Sequence, residues 1–215
     1  MLTLPLLRKM LNRAGTELKA NSKYLCELDS VAGDGDHGIT IGRMADVMKE
    51  KTEDTTIDTM RVLLDELGDA FMGINGGSAG PLWGTVFTGM AEGIDDQAEL
   101  TDLELRKMFT QAKEDFMDIS KAKPGDKTMV DALYPAIDAI IETQGSLKEI
   151  MTAAAAAADA GAEQTSTMVA RFGRAKNMGE RSIGTKDPGA VSIAILFNGM
   201  AQAYKRLNFR RCGNK

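Results

Sequence analysis

Apolar residues recur at three- and four-residue intervals through almost the whole chain, and glycine-rich loops break that rhythm in four places. From Leu4 to about Tyr24 the series is Leu7, Met10/Leu11, Ala14 and Leu18, the i, i+3/4, i+7 spacing of an amphipathic helix. The period returns in seven more segments: His37 to about Glu50, Ile57 to Phe71, Leu82 to Ile94, Thr101 to about Lys121, Met129 to Glu142, Ser146 to about Arg171, and Pro188 to Leu207. No run alternates apolar and polar residues convincingly enough to predict a strand. The 14 methionines and 5% aromatic content favour helix packing over a β-sandwich core. The expectation is an all-α bundle of eight antiparallel helices over residues 1–207, with a frayed tail over 208–215.

Local signals support these boundaries. Thr101-Asp-Leu-Glu104 and Ser146-Leu-Lys-Glu149 have capping-box spacing. Asp187 followed by Pro188 predicts an N-cap and a proline at N1. Asp36 is the expected N-cap of the second helix, where its carboxylate would meet the positive end. Pro135 is expected to kink the sixth helix or to lie near its first turn. In an up-and-down arrangement every second connection lies at the same end. The four loops between helices 1 and 2, 3 and 4, 5 and 6, and 7 and 8 therefore share one rim.

Each loop carries a chemical reading and a bland one. Asp29, Asp34 and Asp36 stand among Gly33, Gly35 and Gly38. Crowded carboxylates suit a hard cation such as Mg²⁺, though Asp/Gly stretches also make solvated turns, and the spacing fits no EF-hand. Asn75-Gly-Gly-Ser-Ala-Gly80 can aim backbone N–H groups at an anion from a helix start, or can let helices approach closely. Lys123-Pro-Gly-Asp-Lys-Thr128 is a turn by composition. Arg171 to Gly189 holds four cations before Ser182; Arg174 and Arg181 suit phosphate oxygens, and a solvated basic loop fits equally.

Composition narrows the classes. A net charge of −5 with no basic stripe argues against nucleic acid. No run of 18 apolar residues predicts a membrane span, and the short apolar start lacks the regions of a leader. Cys26 and Cys212 have no metal-binding spacing, which fits a reduced, cytoplasmic setting. Walker A, protein-kinase and post-strand Gly-x-Gly-x-x-Gly patterns are missing. Acidic ligands, backbone donors and arginines on one rim are equipment for phosphoryl transfer.

Leu28-Asp29 with Gly33-Asp-Gly-Asp-His-Gly38 resembles the signature of the DhaL family, the nucleotide-binding subunit or domain of dihydroxyacetone kinases. Gly76-Gly-Ser-Ala-Gly-Pro-Leu-Trp-Gly84, Lys123-Pro-Gly-Asp-Lys-Thr-Met129 and Gly179-Glu-Arg-Ser-Ile-Gly-Thr-Lys-Asp-Pro-Gly189 resemble it too, in order along the chain. The resemblance implies a closed barrel of eight antiparallel helices with the nucleotide at one end. It implies that Asp29, Asp34 and Asp36 hold two Mg²⁺ ions that bridge the phosphates of ADP or ATP. His37, Gly38, Ile39 and Thr40 would line the phosphates, with Ser78 and Ala79 from the second loop. Ser120 and Met129 would flank adenine or ribose, and Arg174, Asp187, Pro188 and Gly189 would close the site. No residue is assigned a catalytic role with certainty; Arg174 is the candidate stabiliser of phosphate charge. A phosphohistidine role for His37 is the alternative to a nucleotide contact. The implied partners are a ketose-binding DhaK-like subunit and a DhaM-like phosphohistidine donor of the phosphotransferase system. Reversible ATP exchange, or a nucleotide-sensing module that docks a regulator, are the other readings. Ser78-Ala79 and Trp83 depart from the commonest pattern.

Overall fold

A computed structural model describes residues 1–205. The expected end of the domain at residue 207 and the tail over 208–215 lie outside the described residues. The fold is mostly helical, with α1 (Leu4–Ala20), α2 (Ser22–Asp29), α3 (His37–Glu53), α4 (Met60–Met72), α5 (Ala79–Glu92), α6 (Asp102–Ile119), α7 (Val130–Glu142), α8 (Leu147–Gln164) and α9 (Pro188–Lys205). Along the chain α1 packs on α3, α4 on α5, α5 on α6, α7 on α8 and α8 on α9, and α9 returns to α1. Their inward faces form one apolar core, with Phe71, Trp83, Phe87, Phe116 and Phe197 among its largest fully buried members. No helix among the described residues is long and apolar enough to cross a membrane.

Four details differ from the expectations. The first predicted helix is two helices. The Asn21 side chain donates to the Glu17 carbonyl at 2.8 Å and the Asn21 backbone N–H to the same oxygen at 3.1 Å, which closes α1 and lets α2 run on to Asp29. A two-residue antiparallel pair, β1 (Leu2–Thr3) with β2 (Glu99–Leu100), sets Leu2 opposite Leu100. Two residues have no periodicity to read, so this pair was invisible in sequence. The seventh predicted helix ends at Gln164, not Arg171. There the hydroxyls of Thr165, Ser166 and Thr167 bond back to the carbonyls three residues earlier, at 2.6–2.9 Å, which draws the chain out of the helix. Asp36 occupies the N-cap position of α3 but makes no side-chain cap bond. Asp29 does that work instead, its Oδ2 accepting from the N–H of Asp36 at 3.1 Å and of His37 at 3.4 Å.

Both capping boxes form, at Thr101/Glu104 and Ser146/Glu149. Pro135 lies inside α7, past its first turn. It offers no N–H to the Asp131 carbonyl one turn earlier. Gly161 of α8 lies against that freed oxygen so closely that a Cβ there would overlap it.

Candidate functional site

The four glycine-bearing connections meet at one cavity of about 570 Å³, and every lining residue comes from segments 28–37, 76–83, 116–130 or 172–189. The expectation of a common rim rested on counting connections alone. Its physical content is this cavity.

The acidic side is the α2–α3 connection. Carboxylate oxygens of Asp29, Asp34 and Asp36 lie within 4.8 Å of one another. Asp34 pairs with the Arg174 guanidinium, which reaches across from the α8–α9 connection. That contact holds the Asp34 carboxyl below its ordinary range. Asp36 is pushed up, by partial desolvation first and then by Asp34 and Asp29. Three carboxylates this close repel one another, and an all-oxygen donor set suits a hard divalent cation. Gly33 is required by this crowding, because a Cβ there would lie 2.8 Å from Cγ of Asp29.

His37 opens α3 beside this cluster. Its Nε2 lies 3.3 Å from Oγ of Ser192, whose own proton is donated to the Gly189 carbonyl at 2.8 Å. With the Ser192 proton on Gly189, the contact has His37 Nε2–H as donor and the serine oxygen as acceptor. Burial pushes its pKa down, which favours the neutral ring. The bond ties the start of α3 to the start of α9.

The second connection divides its glycines between the two readings. Gly76 and Gly77 take positive φ, 155° and 62°, and line the cavity. Gly80 and Gly84 serve packing: a Cβ on Gly80 would lie 2.8 Å from the Phe71 carbonyl oxygen, and one on Gly84 2.8 Å from that of Gly68. No side chain caps α5, so its first N–H groups are available to an anion.

The third connection is a braced turn. The buried Asp131 carboxylate accepts from the N–H of Gly125 at 2.5 Å and of Thr128 at 2.8 Å. Lys127, 4% exposed, donates to the carbonyls of Thr165 and Thr185. The fourth connection carries a 3-10 stretch, Arg174–Ser182, broken at Gly179. It ends at Asp187, which caps α9 by accepting from the Ala190 N–H at 2.7 Å. Burial pushes the Asp187 carboxyl up to about 7.

Of the residues expected at the site, Asp29, Asp34, Asp36 and His37 line the cavity, as do Ser78, Ala79, Ser120, Met129, Arg174, Asp187, Pro188 and Gly189. Gly38, Ile39 and Thr40 do not. Gly38 is where α3 crosses α2, a Cβ there lying 2.8 Å from the Cys26 N–H nitrogen; Ile39 is 52% exposed; Thr40 is buried beneath Gly76. Gly38 and Thr40 turn into helix and loop contacts while Ile39 turns outward, a difference set by helical geometry that a motif does not display. Sequence reasoning passed over Lys127, whose turn read as a connector, and Phe172 and Leu82, which join Trp83 and Phe116 on an apolar wall.

The DAK2 domain matches residues 31–202. The chain is 35% identical over 198 residues to the ADP-binding subunit DhaL of the PEP-dependent dihydroxyacetone kinase of Escherichia coli K12, covering 91% of this chain and 94% of that one. It is 36% identical over 198 residues to an L-erythrulose kinase of Pectobacterium atrosepticum, but spans 33% of that protein. Among solved structures it resembles the dihydroxyacetone kinase of C. freundii. The native form gives a TM-score of 0.74 at 25% identity, covering 92% of this chain and 34% of the other. The complex with AMP-PNP and Mg²⁺ gives 0.69 at 27%, covering 92% and 33%. The chain is a DhaL-type member of the DAK2 domain family.

Proposed function

We propose that this chain is the nucleotide-binding subunit of a dihydroxyacetone-type kinase. It holds Mg-ADP or Mg-ATP in the four-loop cavity and passes the terminal phosphoryl group to dihydroxyacetone or a related short ketose on a DhaK-like partner subunit. The observation that carries this reading is the convergence of three carboxylates, an uncapped helix start and Arg174 on one cavity with an apolar wall. The likeness to the C. freundii kinase solved with AMP-PNP and Mg²⁺ supports the same ligand class.

Asp29, Asp34 and Asp36 are the residues that would hold two Mg²⁺ ions. Bound there, the ions would neutralise phosphate charge. The protein's own contribution is placement. Asp29 keeps the loop closed through the Asp36 and His37 N–H groups, so its geometry is set before any ligand arrives. Gly76, Gly77 and the start of α5 offer backbone donors. Arg174 pairs with Asp34 and can turn its guanidinium to phosphate oxygens once Asp34 has another cation. Leu82, Phe116, Met129 and Phe172 present a dry surface for a base. Charge stabilisation by pre-placed groups is the main protein contribution to phosphoryl transfer. His37, tied through Nε2 to Ser192, acts as a brace and ligand contact.

The near end-to-end match with a free-standing subunit named PEP-dependent favours the relay mode, in which bound ADP is rephosphorylated by a DhaM-like phosphohistidine protein in the cytoplasm. The match to an L-erythrulose kinase supports a second reading, an ATP-exchanging kinase subunit for another short ketose. The eight-membered closed barrel, with α1 and α2 as one member, fits the return of α9 to α1. Mass spectrometry of the purified, denatured protein tests the reading. Stoichiometric ADP supports the relay, and an empty site that fills reversibly with ATP supports exchange. Failure of both nucleotides to bind with Mg²⁺ present overturns the proposal.

A further inference from the structure

Among the described residues Lys127 is the one non-glycine residue with positive φ, 60°. An L side chain is strained there, and a glycine would not be. Such strain persists where the surroundings over-determine it, and the sound inference runs from the outlier to a role. What the surroundings hold is the ammonium group. Nζ donates to the Thr165 carbonyl at 2.6 Å and to the Thr185 carbonyl at 2.5 Å. These acceptors stand at the two ends of the α8–α9 connection. One turn of another loop thus grips both ends of the segment that carries Arg174.

The clasp is reinforced at the same base. Gly184 N–H donates to the Ser166 carbonyl at 2.7 Å, and Asp187 N–H to Oγ1 of Thr165 at 2.9 Å. The turn touches the loop a second time through Arg171, whose N–H donates to the Asp126 carbonyl at 3.1 Å. Further out the buried Ala170 N–H donates to Oγ of Ser182 at 2.9 Å and closes the loop once more, and beyond it Arg174 is 60% exposed as it reaches to Asp34. Arg174 thus stands on a loop whose two strands are held together from the base upward.

We infer that Lys127 is a positioning residue: its ammonium pins both ends of the α8–α9 connection and so holds Arg174 across the cavity from the acidic cluster. The consequence for ligand retention rests on the nucleotide reading above, whereas the clasp itself does not. A pinned loop slows escape of a bound nucleotide and scarcely alters its entry, so the effect belongs in the dissociation rate.

Lys127→Met keeps the stem and removes the donors. The test uses the full chain. Without nucleotide, trypsin should cut at Arg171, Arg174, Lys176 and Arg181 at least tenfold faster in K127M than in the wild type, with cleavage elsewhere unchanged. With Mg-ADP, stopped-flow dissociation should speed up about tenfold at an association rate within twofold of wild type. Unchanged cleavage in the loop, or an equal rise at every site, overturns the inference. So does an affinity loss carried by association. If the wild type retains no Mg-ADP, the nucleotide reading fails and the trypsin arm still decides the clasp. Amine labelling of the wild-type protein serves should K127M not fold. Lys127 should react at least a hundredfold more slowly than exposed Lys123, and equal labelling overturns the clasp.

Discussion

Asp36→Asn should make the metal-free protein more stable while removing its response to Mg-ADP. The carboxylate oxygens of Asp29 and Asp36 lie within 4.8 Å. Two unit charges at that distance repel by about 0.9 kcal/mol in water and by about 3.5 kcal/mol at an effective dielectric constant of 20. Asp36 faces solvent, so the lower value applies, and a Debye length of about 8 Å at physiological ionic strength roughly halves it. Asp34 adds to this repulsion, and Arg174 beside it offsets part of that charge. The side chain of Asp36 caps nothing, so the amide loses no helix bond. In a protein of this size about 0.5–0.9 kcal/mol raises Tm by about 1–3 °C. A ligand at a hundred times its Kd adds about 2.7 kcal/mol, or about 5–10 °C, to the wild type. Thermal scans in low salt, with EDTA or with Mg-ADP, read both effects. A D36N chain that melts lower without metal and keeps the full Mg-ADP shift refutes the repulsion argument and the metal assignment together.

Arg174→Ala should weaken Mg-ADP binding of the order of tenfold, the loss of one charge-assisted bond, with Tm of the free protein nearly unchanged because the pair it breaks is exposed; titration and a thermal scan check the two halves. Asp187 has a folded-state pKa raised to about 7 from 3.8, so the unfolded chain releases this proton first and stability falls as pH rises from about 4 to 7. Asp187→Asn should flatten that fall in Tm against pH, and an unaltered profile counts against the buried carboxyl. Gly161→Ala should cost about 3 kcal/mol or more in urea unfolding, since its Cβ would overlap the Asp131 carbonyl and α8 must move off α7.

What the sequence made legible follows from what leaves a periodic or compositional mark. Helix faces do, and so do capping boxes and proline at N1, which is why α6, α8 and α9 begin where expected. The common rim was legible because parity of connections is a topological property, independent of coordinates. The break at Asn21 was not, since the apolar period runs through it and only a side-chain bond to Glu17 marks the stop. The exchange of capping duty from Asp36 to Asp29 was hidden for a related reason: residues seven apart in sequence meet only once the loop folds back over Gly33. Gly38, Ile39 and Thr40 differ in placement from the rest of their motif because a contiguous run enters a helix and successive side chains turn 100° apart. Lys127 left no sign, because a lysine in a polar turn looks solvated until its two carbonyl partners, 38 and 58 residues away, are in place.

The central claim is that the carboxylates of the α2–α3 loop and the facing loops together bind a nucleotide through a divalent cation. Calorimetric titration of ADP into the nucleotide-free chain, once with Mg²⁺ and once with EDTA, tests it most directly. The account predicts one saturable site with Mg²⁺ and at least a hundredfold weaker binding in EDTA. Equal affinity in the two buffers, or no binding in either, would contradict it.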